Sequence, residues 1–331
     1  MDYCFFGTCA NDHNHLMEVL ETIIAQSLKP KEIIIIDSGD VNNFKEIKAI
    51  LDLRKIKIKY IFKKLSRVEA LNLAIENIST AYSIRFDTRT RFNKFYAEEA
   101  LKILNDEKLG LCFVGGVPDV IPEKKSFSGI ICSEIMRRSY VFFYPRHREI
   151  GYTGFASSIY LGCFETKILK KIKYREDIFL ISEDSLLASD YASNNFKLWL
   201  SSSLRLNYVA RSSVFNTLRL FNTYGYCRFN SIVLSGNVHS KKRYLSLFAI
   251  IFLYFTLTHN FLLISFFIFP FFILFLNIYG ELTFKNKNKK KIVYILSPIF
   301  ASICQFSWIL GFSWSLLLWF KVSKPKSNFI K

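Results

Sequence analysis

Acidic residues are scarce: 27 Asp and Glu stand against 45 Lys and Arg, a formal net charge of +18. Such an excess raises the question of nucleic acid. No basic helix and no basic–aromatic repeat of a nucleic-acid module occurs, so nucleic acid is excluded as a partner. Cysteine comes as seven scattered residues (4, 9, 112, 132, 163, 227 and 304) without a Cys-x-x-Cys pair. That pattern excludes a disulfide framework and a zinc site, and points to a reducing compartment. Glycine and proline are few, 13 and 7 in 331 residues, which excludes collagen-like and low-complexity chains. The beginning of the chain lacks a basic region and a cleavage site, and Asp2 leads straight into a strand-like run. Residues 1–243 are therefore expected in the cytoplasm.

Full charges are missing from two long stretches. Residues 244–280 hold no Asp, Glu, Lys or Arg, and neither do residues 292–320. Apolar runs of about 18 or more residues read as membrane-spanning helices, so a wholly soluble protein is excluded. The first stretch is too long for one span, and Thr258-His259-Asn260 near its middle reads as a turn. Lysines crowd beside these runs: Lys285, Lys287, Lys289, Lys290 and Lys291, then Lys321, Lys324, Lys326 and Lys331. Their placement suits the positive-inside bias and anionic headgroups. The expected plan is a transmembrane hairpin over 244–280, a basic cytoplasmic loop over 281–291, a third transmembrane segment over 292–320 that either crosses to put the tail outside or is partly re-entrant, and a basic tail over 321–331. Membrane lipids are then partners, and the location is the cytoplasmic membrane, crossed more than once.

The preceding residues alternate strand and helix. Strands are predicted at 3–8, 31–37, 56–62, 81–86 and 109–114, with helices at 13–27, 44–53, 67–78 and 95–104. Lys31-Glu-Ile-Ile-Ile-Ile-Asp37 has the continuous apolar run of a central parallel strand. Residues 117–180 show no clear period. A helix follows at 182–194, strands at 196–201 and 204–209, and an amphipathic helix at 212–234. Alternation of this kind implies an α/β sheet with right-handed crossovers, whose ligands bind at the carboxyl ends of strands. Asn11, Asp37, Asp87 and Gly115-Gly116 all fall there. His13 and His15 lack a third ligand nearby and are not read as a metal site.

Several short stretches then occur in a telling order. Phe6-Gly-Thr-Cys-Ala-Asn11 closes the first strand. Gln26-Ser-Leu-Lys-Pro30 precedes Ile33–Asp37 and Ser38-Gly39. Glu69-Ala-Leu-Asn72, Arg85-Phe-Asp87-Thr-Arg89-Thr-Arg91, Gly115-Gly116, Ser182-Glu183-Asp184, Arg211-Ser-Ser213 and Tyr224-Gly225 follow. Over residues 3–235 this series resembles the family 2 nucleotide-sugar glycosyltransferases, and among them membrane-anchored bacterial members that build exopolysaccharide or capsule. The resemblance implies an A-type glycosyltransferase fold, Rossmann-like with a mostly parallel mixed sheet, followed by C-terminal transmembrane helices.

It also implies roles. Asp184, with Glu183 beside it at a helix start, stands where the family keeps its catalytic base, which deprotonates the acceptor hydroxyl in one inverting displacement. Both acids would equally complement a helix N-terminus. Asn11, Asp37, Asn72, Arg85, Asp87, Arg89, Gly115 and Gly116 fall at donor-binding positions. Asp37 suits a base imide or ribose hydroxyl, or else a helix cap. Glu183 and Arg211 are candidates for contact with acceptor or diphosphate. Asp87 stands at the metal position, for Mg²⁺ or Mn²⁺ on the diphosphate. The family's usual second Asp or His is replaced by Arg89, which cannot ligate a metal but can neutralise the diphosphate directly. Leu220-Phe-Asn-Thr-Tyr224 stands in place of the Gln-x-x-Arg-Trp motif of processive synthases, which argues for adding one sugar. The expected partners are a nucleotide-sugar donor and a lipid-linked saccharide acceptor. Two alternatives stay open: a polyprenyl-phosphate sugar transferase, and a non-catalytic membrane subunit that keeps the fold.

Overall fold

The computed structural model describes residues 1–52, 55–142, 145–176, 183–235, 262–283 and 291–321. The elements begin with β1 (Tyr3–Cys9), α1 (His13–Ile24), β2 (Glu32–Asp37), α2 (Phe44–Asp52), β3 (Lys57–Phe62), α3 (Arg67–Glu76) and β4 (Tyr82–Asp87). Next come β5 (Thr90–Phe92), α4 (Tyr96–Leu104), β6 (Leu111–Gly115), β7 (Asp119–Pro122) and α5 (Phe127–Arg137). Then follow β8 (Gly154–Phe155), β9 (Gly162–Glu165), α6 (Thr166–Ile172), α7 (Glu183–Ser193), β10 (Lys197–Leu200), β11 (Leu206–Ala210) and α8 (Val214–Ser235). The helices Leu262–Thr283 and Lys291–Lys321 complete the described chain. Compactness divides it into two units. The first comprises Met1–Asp119, Glu149–Phe179 and Glu183–Val209; the second, Val120–Arg148, Leu180–Ser182 and Ala210–Lys331.

The first unit is built on an eight-stranded sheet in the order β3-β2-β1-β4-β9-β6-β10-β8. Strands β3, β2, β1 and β4 are mutually parallel, whereas β9 runs antiparallel between β4 and β6. Every residue of β1 and β2 is buried because helices cover both faces. Alternate residues feed two cores. Tyr3, Phe5, Ile33 and Ile35 meet Leu16 and Leu20 of α1 and Leu101 of α4. Cys4, Phe6, Ile34 and Ile36 meet Leu71 and Ile75 of α3 and Leu187 and Tyr191 of α7. Burial of each such large side chain contributes about 1.5–3 kcal/mol, which is why these strands read as unbroken apolar runs.

Register positions the site. Thr8 pairs with Asp87 and Cys9 with Asp37, so both acids finish level with the end of β1 on either side of it. The helix α3 starts in a capping box: Ser66 Oγ accepts from the Glu69 amide and Glu69 Oε2 accepts from the Ser66 amide. This fixes Arg67 as the first helical residue. The stretch 117–180 that carries no period in the sequence contains β9, α5 and α6. Four-residue β9, Gly-Cys-Phe-Glu, is too short to show an alternation.

In the second unit α8 packs along the helix Lys291–Lys321 with backbones almost touching. A Cβ on Gly225 would lie 1.9 Å from the Trp308 carbonyl oxygen, and one on Gly311 2.0 Å from the Asn222 carbonyl oxygen. Ser307 Oγ donates to the Leu218 carbonyl at 2.9 Å, and Asn222 Nδ2 to the Ser307 carbonyl at 3.1 Å. Gly225→Ala and Gly311→Ala are each expected to lower stability by about 1–3 kcal/mol through overpacking. Thermal melts in detergent check this, and an unchanged Tm for both would refute so close a crossing.

Among the described residues one helix, Ile292–Trp319, is long and apolar enough to cross a membrane; the apolar segment Pro270–Thr283 is shorter. The described residues therefore show one candidate span where the sequence reading has three. The first arm of the expected hairpin (244–261), most of the lysine loop (284–290) and the basic tail (322–331) lie outside the described residues.

Candidate active site

Five charged side chains of the first unit meet where β4 ends and α3 and α7 begin. Arg85, on β4, is fully buried. Its Nη1 donates to the Tyr174 hydroxyl at 2.7 Å and also bonds Asp184 Oδ1. Its Nη2 donates to Glu183 Oε1 at 3.0 Å and lies 3.7 Å from Asp87 Oδ1. Arg67 approaches from the start of α3. Nε donates to Glu183 Oε1 at 2.6 Å, and Nη2 reaches both Asp87 oxygens at 2.8 and 3.1 Å. Two guanidiniums thus face three carboxylates. Glu183 and Asp184 also occupy the first turn of α7, where the exposed amides favour negative charge.

The two adjacent acids are driven apart. Burial, opposed by Arg85 and reinforced by the Glu183 and Asp87 carboxylates, raises the Asp184 carboxyl to about 6. Burial acts in the same sense on Glu183, but Arg67 and Arg85 outweigh it and bring that carboxyl down to about 2. Glu183 is therefore a fixed anion between two arginines. Asp184 keeps a carboxyl that titrates close to neutral pH, is 30% exposed, and among the described residues its Oδ2 accepts no hydrogen bond. Neighbouring acids pushed in opposite directions are a common way to divide proton transfer from charge holding.

The other expected residues separate into groups. Asp37 is buried, and its oxygens accept from the Gly39 amide at 2.8 Å and the Tyr60 hydroxyl at 2.6 Å. Asn11 faces the same turn in a left-handed conformation (φ 55°), exchanging two hydrogen bonds with Asp40. Asn72 clamps the backbone of Tyr174 from both amide atoms and donates to Glu176 as well, so it holds the tyrosine that meets Arg85. Arg89 turns towards Asp12, with Nε 3.6 Å from Oδ2. Gly115 and Gly116 end β6 where side chains do not fit: a Cβ would meet Ile159 at 2.3 Å or the Leu204 carbonyl at 1.8 Å. Arg211 belongs to the second unit. Among the described residues no group of three or more His, Cys, Asp or Glu converges as a metal site.

Sequence reasoning missed Arg67 and Tyr174. The capping box around Ser66 and Glu69 was the available signal for Arg67, since it puts this residue at a helix start. Nothing local signals Tyr174, which reaches Arg85 from a segment 89 residues away.

No family model and no curated protein matches the sequence. Solved structures do. The mannosyltransferase PcManGT from Pyrobaculum calidifontis, in complex with GDP-Man and Mn²⁺, aligns with 95% of this chain and 86% of its own. The TM-score is 0.58 and the identity 12%. GalNAc-T7 with UDP, GalNAc and Mn²⁺ aligns with 66% of this chain and 47% of its own, with a TM-score of 0.50 and 11% identity. TarS 1–349 of S. aureus in complex with UDP-GlcNAc aligns with 97% and 92%, with a TM-score of 0.48 and 12% identity. The likeness to PcManGT and GalNAc-T7 gives the chain the A-type glycosyltransferase fold, a parallel-rich mixed sheet between helices.

Proposed function

We propose that this protein is an inverting glycosyltransferase that moves a sugar from a nucleotide-sugar donor to a lipid-linked saccharide in cell-surface polysaccharide synthesis. The observation that carries the reading is Asp184. It combines a carboxyl raised to about 6, one oxygen fixed by Arg85 and the other open, at the strand ends of this fold. In the proposed step Asp184 Oδ2 takes the proton of the acceptor hydroxyl as that oxygen attacks the anomeric carbon. The bond from anomeric carbon to phosphate oxygen breaks, and the nucleoside diphosphate leaves with the electron pair. One displacement inverts the configuration and needs no enzyme nucleophile. A phosphate acceptor would need no base, so a tuned Asp184 favours the saccharide acceptor over a polyprenyl phosphate. The apolar helix Ile292–Trp319 and the neighbouring lysines support an acceptor held at a membrane.

PcManGT and GalNAc-T7 carry Mn²⁺ with their nucleotides, so a divalent cation is compatible with the fold. Asp87 stands at the position such a cation would take, but Arg67 Nη2 lies on both of its oxygens at 2.8 and 3.1 Å. Such a cation would neutralise the leaving group.

The pH profile tests the base directly. A general base must be unprotonated, so kcat/KM for the acceptor is expected to be flat above pH about 6 and to fall tenfold per unit below it. Radiolabelled sugar transfer to membrane-extracted acceptors measures this. A profile unchanged between pH 7 and 5 would remove Asp184 from the role.

A further inference from the structure

Asp87, at the position expected of a metal ligand, is covered by a guanidinium. Arg67 Nη2 sits on both of its oxygens, at 2.8 and 3.1 Å. We infer that Arg67 is the group that binds and neutralises the donor's diphosphate, holding at Asp87 the place a divalent cation would take, so that Asp87 positions this arginine. The inference rests on the glycosyl-transfer reading and adds to it the source of positive charge.

The geometry supports a binding role over a purely structural one. Arg67 is held at three points: its backbone by the capping box, Nε by Glu183 at 2.6 Å, and Nη2 by Asp87. Nη1 has no partner among the described residues, and 41% of the side chain is exposed. A donor fixed in orientation with one edge left open suits the planar, bidentate recognition of phosphate oxygens. Arg85 cannot do this, because it is buried and its two terminal nitrogens are engaged by Tyr174, Asp184 and Glu183. Arg67 Nη2 lies on both oxygens that Asp87 would offer a cation. Two residues further on, the chain supplies another arginine, Arg89, and no further ligand.

The test reads metal binding and nucleotide binding separately on the full-length protein in detergent. Loss of the free Mn²⁺ signal in electron paramagnetic resonance reports metal uptake by the protein alone. Wild type is expected to take up little Mn²⁺ at millimolar concentration. Arg67→Ala is expected to bind it at least tenfold more tightly, and Asp87→Asn in that background to abolish the gain. In chelator, calorimetry with UDP and GDP is expected to show wild type binding one of them, and Arg67→Ala binding it about ten- to a hundredfold more weakly. Added Mn²⁺ should restore affinity to Arg67→Ala and change wild type little, while Arg67→Lys should fall between the two. Circular dichroism melts confirm that each variant is folded; if Arg67→Ala is not, Arg67→Gln takes its place. Equal Mn²⁺ uptake by wild type and Arg67→Ala, or equal nucleotide affinity in chelator, overturns the assignment. If wild type binds neither nucleotide even with Mn²⁺, it is the glycosyl-transfer reading that fails, and the diphosphate role of Arg67 falls with it.

Discussion

Asp184→Asn is expected to lower turnover about 10²- to 10⁴-fold while leaving nucleotide affinity within a few-fold of wild type, the range typical of losing a general base. The amide keeps the shape at the start of α7. It also keeps an acceptor oxygen for Arg85, which retains Glu183 and Tyr174. Charge at the diphosphate end changes little, because Arg67 and Asp87 still hold each other. The loss should appear in kcat and in kcat/KM for the acceptor, the pattern of an interaction made in the transition state. Transfer assays at saturating donor, with calorimetric titration of UDP or GDP, separate the two effects. More than about a tenth of wild-type turnover would exceed what base loss permits. Glu183 is then a poor substitute, since its carboxyl lies near 2 between two arginines and only 4% of its side chain is exposed. Full activity in both Asp184→Asn and Glu183→Gln would leave the fold without this chemistry and favour the non-catalytic subunit.

Much of the first unit was legible because its physics is local. The β-branched run ending at Asp37 is a buried strand in any parallel sheet, and the apolar positions 16, 19, 20, 23 and 24 define the inner face of α1. Every strand and helix expected up to residue 114 is present, with shifted ends and with β5 added. The site was legible as a set of acids at strand ends, because register in a parallel sheet places Asp37 and Asp87 level with the end of β1, one on either side of it. The counter-charges were not legible. Arg67 meets Glu183 across 116 residues, and Arg85 meets Asp184 across 99; such pairings arise from packing and leave no spacing to read. Asp37 shows the opposite limit. Its position was anticipated, but the Tyr60 hydroxyl on Oδ2 comes from the neighbouring strand β3 and could not be. The irregular middle hid β9 and α5 because a four-residue strand has no usable period, and because α5 buries a carboxylate, Glu134, that looks like surface. Glu134 and Arg138 are in fact among the most buried residues of the chain.

That buried pair carries the second large prediction. Arg138, which caps α5, is fully buried. It donates to both oxygens of Glu281, Nη2 to Oε1 at 2.8 Å, while its Nη1 donates to Glu134 Oε2 at 2.7 Å. The Tyr140 hydroxyl adds a bond to Glu281 at 2.9 Å. Glu281 is the single acid after residue 243, and it stands in an otherwise apolar helix. An acid so placed is costly unless paired, and the pair joins the end of the helix Leu262–Thr283 to α5 in one orientation. Removing Arg138 leaves Glu281 buried without a counter-charge, and removing Glu281 leaves Arg138 with Glu134 alone. Arg138→Ala and Glu281→Ala are therefore each expected to lower stability by about 3–5 kcal/mol. The double variant Arg138→Met/Glu281→Leu should lose less than the sum, because Glu281 is no longer left unpaired and Glu134 keeps Arg137 at 3.0 Å. Glu281→Gln, which keeps hydrogen bonds but not charge, should fall between wild type and Glu281→Ala. Melting of the four variants in one detergent measures this cycle. Single losses that simply add in the double variant would show that the two residues do not act as a pair. The helix Leu262–Thr283 would then be held by its apolar contacts and by the Asn277–Gln305 hydrogen bond at 2.8 Å to the helix Lys291–Lys321.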